Sequence, residues 1–232
     1  MKKTGIIFIL TLLLLPAALL SQSKKWYPTS SGEMIFSSAS IENNGNEGSS
    51  IIRWSPVFNS QNYINRDLGE YFGVFSGLNI RNVGFIYKDD AGSGKTKHRT
   101  YNLGIPIGLK LGNLKENFLY GGYEIEFPFH YKEKRFLNEK KTDKFNVWFS
   151  KRVPAYYHSV MLGLELKSGI NFKLKYYITS FFNKDFTETV GGQPVKIYEN
   201  LDVNVLYFSV SVDMFKAVKQ NMDVTRTSDI IY

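Results

Sequence analysis

Along most of this chain apolar residues recur at every second position rather than three or four apart, the period of a strand with two unlike faces. The run 98–112 is the clearest. Tyr101, Leu103, Ile105, Ile107, Leu109 and Leu111 fall on one face, and Asn102, Gly104, Pro106, Gly108 and Lys110 on the other. In the run 117–133, Leu119, Tyr123, Ile125, Phe127, Phe129 and Tyr131 oppose Gly122, Glu124, Glu126, Pro128, His130 and Lys132. The pattern predicts strands over 32–42, 49–59, 69–88, 98–112, 117–133, 155–166, 169–182 and 203–216. The third holds its phase from Phe72 to Ile80 and slips near Asn82, which predicts a bulge there.

Several runs sustain alternation for ten or more residues, the length a tilted strand needs to cross a bilayer. The connections alternate in length as well. Gly112 to Glu116 and Lys167-Ser168 read as tight turns, and 59–68 as a somewhat longer one, against polar excursions at 43–48, 89–97, 134–154 and 183–202. The expected fold is therefore all-β: an eight-stranded antiparallel up-and-down transmembrane β-barrel with short periplasmic turns and longer extracellular loops. Aromatics near the strand ends (Phe72, Tyr87, Phe129, Tyr131, Tyr156, Tyr157, Phe181, Phe182 and Phe215) are expected to form an interfacial girdle.

The ends of the chain read differently. Lys2 and Lys3, the apolar stretch Ile6–Leu20 and the small residues of Ser21-Gln22-Ser23 have the order of a signal peptide cleaved before Lys24. The apolar stretch is too short for a spanning helix. The expected organisation is a signal peptide at 1–23, an N-terminal periplasmic segment at 24–31, the barrel at 32–216 and a polar periplasmic tail at 217–232.

Composition agrees with the pattern. The 232 residues are 43% hydrophobic and 16% aromatic, too apolar for a disordered chain. The absence of cysteine excludes a disulfide scaffold and an N-terminal lipid anchor on cysteine. The net charge is +8, and losing residues 1–23 leaves 27 basic against 21 acidic residues.

Charge also tests the placement of the faces. The polar face carries Arg53, Arg81, Lys110, Glu124, Glu126, Glu165, Lys173 and Lys175 in mid-strand. An eight-stranded lumen is just wide enough for side chains to fill, and buried charges persist when paired. These eight residues are expected to form a structural charge network that plugs the lumen. Lys132, Lys134, Arg135, Lys140, Lys141 and Lys144 form a second group, expected on outer loops where they meet phosphorylated lipid headgroups or a polyanionic partner.

At this point the chain resembles the small outer-membrane β-barrel proteins of Bacteroidota, the outer membrane protein beta-barrel domain family, over residues 32–216. The residues that carry the resemblance are Leu20-Ser21-Gln22-Ser23, the segment Tyr101–Leu111 and the closing strand Tyr207–Phe215. The resemblance implies a closing strand that bears the signal for membrane assembly. Residues 217–232 depart from it, because the chain continues beyond that strand.

Motifs for chemistry are sparse. Gly92-Ser93-Gly94-Lys95-Thr96 imitates the end of a phosphate-binding loop, but Asp89 stands where a glycine is required and a strand follows instead of a helix. His158 and Ser159 are adjacent, so a strand points them to opposite faces and no nucleophile–base dyad is expected. His98, His130 and His158 show no metal-ligand spacing. Glu124 and Glu126 share a face, where acid–base chemistry competes with simple ion pairing.

The expected function is that of a non-enzymatic integral outer-membrane barrel, a structural or accessory component of an envelope complex, with no cofactor. Its expected partners are outer-membrane lipid, lipopolysaccharide and another envelope protein met through loops or tail, with no nucleic acid. The competing readings are a soluble exported barrel binding a hydrophobic ligand and a lipid-modifying outer-membrane enzyme.

Overall fold

The computed structural model describes residues 26–88 and 94–213. The expected signal peptide, the residues 89–93, Phe215 and the tail 217–232 lie outside the described residues.

Among the described residues thirteen strands follow one another: β1 (Tyr27–Asn43), β2 (Asn46–Ile51), β3 (Arg53–Ser55), β4 (Ser60–Asp67), β5 (Phe72–Lys88), β6 (Gly94–Gly112), β7 (Phe118–Leu137), β8 (Lys140–Trp148), β9 (Tyr157–Glu165), β10 (Ile170–Tyr177), β11 (Thr187–Val190), β12 (Gln193–Lys196) and β13 (Leu201–Asp213). β11 and β12 form a separate two-stranded hairpin, and the remaining eleven make one sheet. That sheet closes, because β13 pairs with β1 from Ser31↔Asp213 to Asn43↔Leu201.

The eleven strands make eight staves. β2, β3 and β4 run in series along β1, with β2 and β4 also paired to β5. β8 and β9 run in series along β7, β8 beside its upper half and β9 beside its lower half. All pairings are antiparallel between consecutive staves, giving an up-and-down barrel with β1 and β13 starting and ending at one end, here the lower one.

The second stave differs from the expectation. Residues 60–67, read as a connection, are strand β4, and the lower turn is 68–71. Against a continuous β1, the second stave carries one extra residue at Ile52 and two more between Ser55 and Ser60. The bulge expected at Asn82 is not in β5; the extra residues belong to the partner stave, opposite Ile80 to Ile86. β5 keeps one register with β6 from Phe72↔Leu111 to Lys88↔Lys95. β1 also begins at Tyr27 rather than at 32. The excursion 134–154 is largely β structure: β7 continues to Leu137 and returns as β8 through Asn138-Glu139, both at positive φ as a two-residue hairpin turn requires.

The two faces exchange polarity at one height. Below it, outward positions are apolar and exposed: Met34 and Phe36, Leu78 and Ile80, Ile105, Ile107 and Leu109, Leu206 and Phe208. The inward positions at that level are buried and polar: Glu33, Asn79, Arg81, Asn102 and Ser209. Above it, outward positions are polar (Ser40 and Glu42, Lys97 and Arg99, Asp202 and Asn204), while Ile41, Val83, Phe85, Val203 and Val205 fill the interior. The upper barrel is thus built like a soluble one. The lower barrel is built the opposite way round.

Candidate functional site

The lumen is stacked in three layers. Tyr63, Phe75, Phe118, Tyr120 and Met161 pack the lower end. Val83, Phe85, Tyr131, Tyr157, Phe181, Phe182 and Tyr198 belong to the apolar core of the upper end. Charged side chains lie between these two layers.

Their arrangement follows the staves. Glu33 comes from stave one, Arg81 from stave three, Glu124 and Glu126 from stave five, and Lys173 and Lys175 from stave seven. Alternate staves thus supply alternate signs, and the ion pairs close a ring. Arg81 Nε donates to Glu33 Oε2 at 3.0 Å and its Nη1 meets Glu124 Oε1. Lys175 Nζ lies 2.6 Å from Glu124 Oε2 and also pairs with Glu126, while Lys173 Nζ lies 2.7 Å from Glu33 Oε1. Three carboxylates face three cations, each side chain essentially sealed from solvent.

Neutral groups add hydrogen bonds to the ring, while Arg81 Nη2 and Asn102 Oδ1 are buried without a hydrogen-bond partner among the described residues. Asn79 donates to Glu124 at 2.8 Å, Asn102 to Glu126 at 2.7 Å and Tyr177 to Glu126 at 2.8 Å. Ser209 donates to Glu33 and Lys173 donates to Gln61. Intermediate staves make room: a Cβ added at Gly104 on stave four would lie 2.1 Å from Glu124 Oε1. Pairing and satisfied hydrogen bonds are what allow charge to stay buried.

Five of the eight residues expected in the network (Arg81, Glu124, Glu126, Lys173 and Lys175) are brought together here. Glu33, which joins both basic staves, was not expected. Its stave opens with a Ser- and Gly-rich stretch whose alternation is faint, although Ser31, Glu33, Ile35 and Ser37 share a face. The other three sit elsewhere. Lys110 lies low in the barrel, 2.8 Å from Asp67 and 2.7 Å from the Tyr27 hydroxyl. Glu165 lines a small cavity there with Lys110 and Tyr120, of about 20 Å³. Arg53 bridges the gap between β3 and β5, donating to the backbone carbonyl and the side-chain oxygen of Asn82.

The other motifs resolve simply. Ser159 is buried and donates to the carbonyl of Glu124 at 3.0 Å, whereas His158 faces outward against the Tyr123 hydroxyl. They form no dyad. Gly94, Lys95 and Thr96 open strand β6, and Lys95 pairs with Glu139. Glu124 and Glu126 are both engaged by cations of the ring.

The expected aromatic girdle is partly corrected. Tyr131, Tyr157, Phe181 and Phe182 are buried in the upper lumen. Phe129 is the extra residue of a β-bulge, since Tyr101 pairs with His130 and Asn102 with Pro128. The bulge reverses the faces of upper β7, turning Tyr131 inward and His130, Lys132 and Lys134 outward. The outward aromatics at the polarity boundary include Tyr101, Phe129, Trp148 and Tyr156.

Above those aromatics the outward face of β6, β7 and β8 is cationic. Arg99 stands opposite Lys132, and Lys132 opposite Asn146; one row higher, Lys97 stands opposite Lys134, and Lys134 opposite Lys144. Burial first, and then the neighbouring cations, hold Lys132 and Lys134 below the ordinary lysine range. The remaining residues of the expected anion-binding group differ. Arg135 is paired with Glu133 at 2.7 Å, and Lys140 and Lys141 lie at the hairpin tip.

A cavity of about 580 Å³ opens at the upper mouth beside Tyr87, His98, Phe182 and Tyr198. His98 Nδ1 lies 2.9 Å from the Tyr131 hydroxyl, which donates to Glu133. Burial is the main influence on His98 and pushes its imidazole down to about 4, against the opposing pull of Glu133. Burial alone would raise Glu133, but His98, the Tyr131 hydroxyl and Arg135 together hold its carboxyl below the usual range.

No protein-family model matches the chain. No curated protein matches it either. Among solved structures, it is similar to Ail, the attachment invasion locus protein of Yersinia pestis, in complex with the heparin analogue sucrose octasulfate. That match has 8% identity and a TM-score of 0.37 over 80% of this chain and 99% of that one. It is also similar to neisserial surface protein A, with 12% identity and a TM-score of 0.36 over 82% of this chain and 100% of that one. A third similarity, to the outer membrane protein OprG from Pseudomonas aeruginosa, has 11% identity and a TM-score of 0.35 over 82% and 94% of the two chains. The barrel assignment rests on the closed ladder of strand pairings.

Proposed function

We propose that this protein is an integral outer-membrane β-barrel whose lumen is plugged by its own side chains, acting as a non-enzymatic structural or accessory component of an envelope complex. The observation that carries the reading is the exchange of polarity between the two faces. An exposed apolar belt around a charged interior is costly in water and natural in a bilayer, where the belt meets acyl chains. Tyr101 to Leu111 span eleven residues of β6, enough for a tilted strand to cross the hydrocarbon.

In this reading residues 1–23 are a cleaved export signal and the lower end faces the periplasm, as does the tail 217–232. The upper end and its hairpins face outward. The origin that fits best is a Bacteroidota-type envelope. A general solute pathway is disfavoured, because the charged ring between two apolar layers leaves little free volume; the lower cavity of about 20 Å³ holds about one water. A hydrophobic ligand in the spanning part is disfavoured by the same charges.

The test is fractionation of the envelope followed by denaturing electrophoresis with and without boiling, and then planar-bilayer recording. The expected result is pelleting with the outer membrane, a mobility shift on boiling and no stable conductance. Release into the soluble fraction without a shift would sink the membrane reading. Large stable openings would sink the plug.

A further inference from the structure

The cationic face of β6, β7 and β8 does nothing for the barrel that the fold requires. Like charges directly opposite one another across antiparallel strands are destabilising. Lys97, Lys134 and Lys144 nevertheless form one uninterrupted row across three strands, with Arg99 and Lys132 opposed in the row below. Among the described residues no carboxylate lies within ion-pair distance of these five side chains. Neighbouring acids are engaged elsewhere: Glu139 pairs with Lys95, Glu133 pairs with Arg135, and Asp143 accepts from the Lys144 backbone N–H at 2.7 Å.

The position of the patch narrows its ligand. Its side chains point sideways from the barrel wall, outward, and not up from its mouth. The row beneath it is Tyr101, His130 and Trp148 in direct register, and below that lie the apolar Leu103 and Phe127. A molecule seated on the patch therefore meets cations at its upper part, aromatic rings at its middle and an aliphatic wall beneath. Adjacent strands are about 5 Å apart and successive outward rows about 7 Å apart, so the five cations cover an area wide enough for more than one phosphate.

We propose that this face is a binding site for a glycolipid headgroup carrying more than one phosphate, held in the outer leaflet with its acyl chains against β6 and β7. The proposal rests on the membrane reading given above. It differs from a loop-borne anion site in its residues: Lys97 and Arg99 of β6 belong to it, whereas Arg135 and Lys140 do not. A soluble sulfated or phosphorylated polysaccharide is the competing occupant. The continuity of the patch with the apolar belt favours the lipid, since a soluble polyanion gains nothing from a wall of leucine and phenylalanine.

The experiment uses the full chain, purified folded in a neutral detergent, with bisphosphorylated lipid A as the probe and retained lipid counted by native mass spectrometry. The variant K97Q/K134Q/K144Q removes the upper row. The control K140Q/K184Q/K196Q removes the same charge from the same end of the barrel. Retention of the mobility shift on boiling establishes that each variant is folded. The row variant is expected to weaken lipid retention by about a hundredfold while the control stays near wild type. Equal loss in both variants would overturn the site, reducing it to net charge. Displacement of lipid A by sucrose octasulfate, with equally tight binding of that polyanion, would overturn the lipid as its occupant. Fractionation of the envelope reports on the membrane reading independently, so the two can fail separately.

Discussion

Arg81 and Glu124 are 43 residues apart in the chain and meet in the lumen from staves three and five, over the bare backbone of Gly104 on the stave between them. The same guanidinium reaches Glu33 on stave one. Arg81 is thus the only arginine of the ring, the two lysines arriving together from stave seven. Its removal leaves three carboxylates facing two cations in a space sealed above and below by aromatic side chains.

Arg81→Met is accordingly expected to destabilise the barrel by about 3–5 kcal/mol, because the unpaired partner stays buried. Adding Glu124→Gln to that variant restores charge balance and should recover part of the loss. Urea unfolding of the refolded barrel in lipid vesicles measures both. Additive losses in the double variant would mean that the two side chains do not act as a pair.

Gly104 gives a second, purely steric expectation. Gly104→Ala introduces a Cβ 2.1 Å from Glu124 Oε1, and Glu124 is held from the other side by Arg81, Lys175 and Asn79. A loss of about 1–3 kcal/mol follows from overpacking a site that cannot shift freely. Gly32→Ala, where nothing lies within 4 Å of the new atom, should change the unfolding midpoint little. Equal effects at both positions would show that the ring is not tightly packed.

These residues also mark how far the sequence could be read. Alternation in β6 and β10 was strong enough to assign Lys110, Lys173 and Lys175 to the inner face, because both strands are uninterrupted pleats. It failed wherever one residue is inserted. The Phe129 bulge sends Tyr131 into the lumen and Lys132 to the outside, the reverse of the simple two-residue count. The insertions at Ile52 and between Ser55 and Ser60 hid the lower half of the second stave, which was expected over 49–59 and runs from Asn46 to Asp67. The upper core escaped for another reason. There the inner face is apolar and the outer face polar, so one strand such as β5 carries both patterns in succession, polar Asn79 and Arg81 giving way to Val83 and Phe85. Read as one alternation, that exchange looks like a slip at Asn82.

The upper mouth should respond to acid. His98 is stacked on Phe85 and edge-on to Phe182, with Tyr131, Glu133 and Arg135 as its polar surroundings. Its imidazole titrates at about 4 in the folded barrel and near 6.5 when unfolded, so the unfolded chain binds a proton first. The associated stability is present in full above the unfolded value and is lost as pH falls towards 4. At pH 5 the loss is about 2 kcal/mol. Comparing urea midpoints at pH 7 and pH 5 for wild type and His98→Gln isolates this contribution. An acid response unchanged by the substitution would assign it to other groups.

The sharpest test of the polarity exchange is a charge placed on the outward face at two heights. Ile107 points outward from the middle of the belt and is 65% exposed; Ser40 is also exposed and outward, but lies above the boundary. On a water-soluble barrel, Ile107→Arg replaces an exposed apolar residue with a charged one and costs almost nothing. In a bilayer the same change puts a cation near the hydrocarbon midplane, at about 2–4 kcal/mol, whereas Ser40→Arg stays among headgroups and costs about 0–1. Refolding of both variants into vesicles of neutral phospholipid, followed by denaturant titration, separates the two environments. A large difference between the positions ties the belt to acyl chains. Equal, negligible costs would mean that water covers Ile107, and the charged lumen would then have to be explained in a soluble protein.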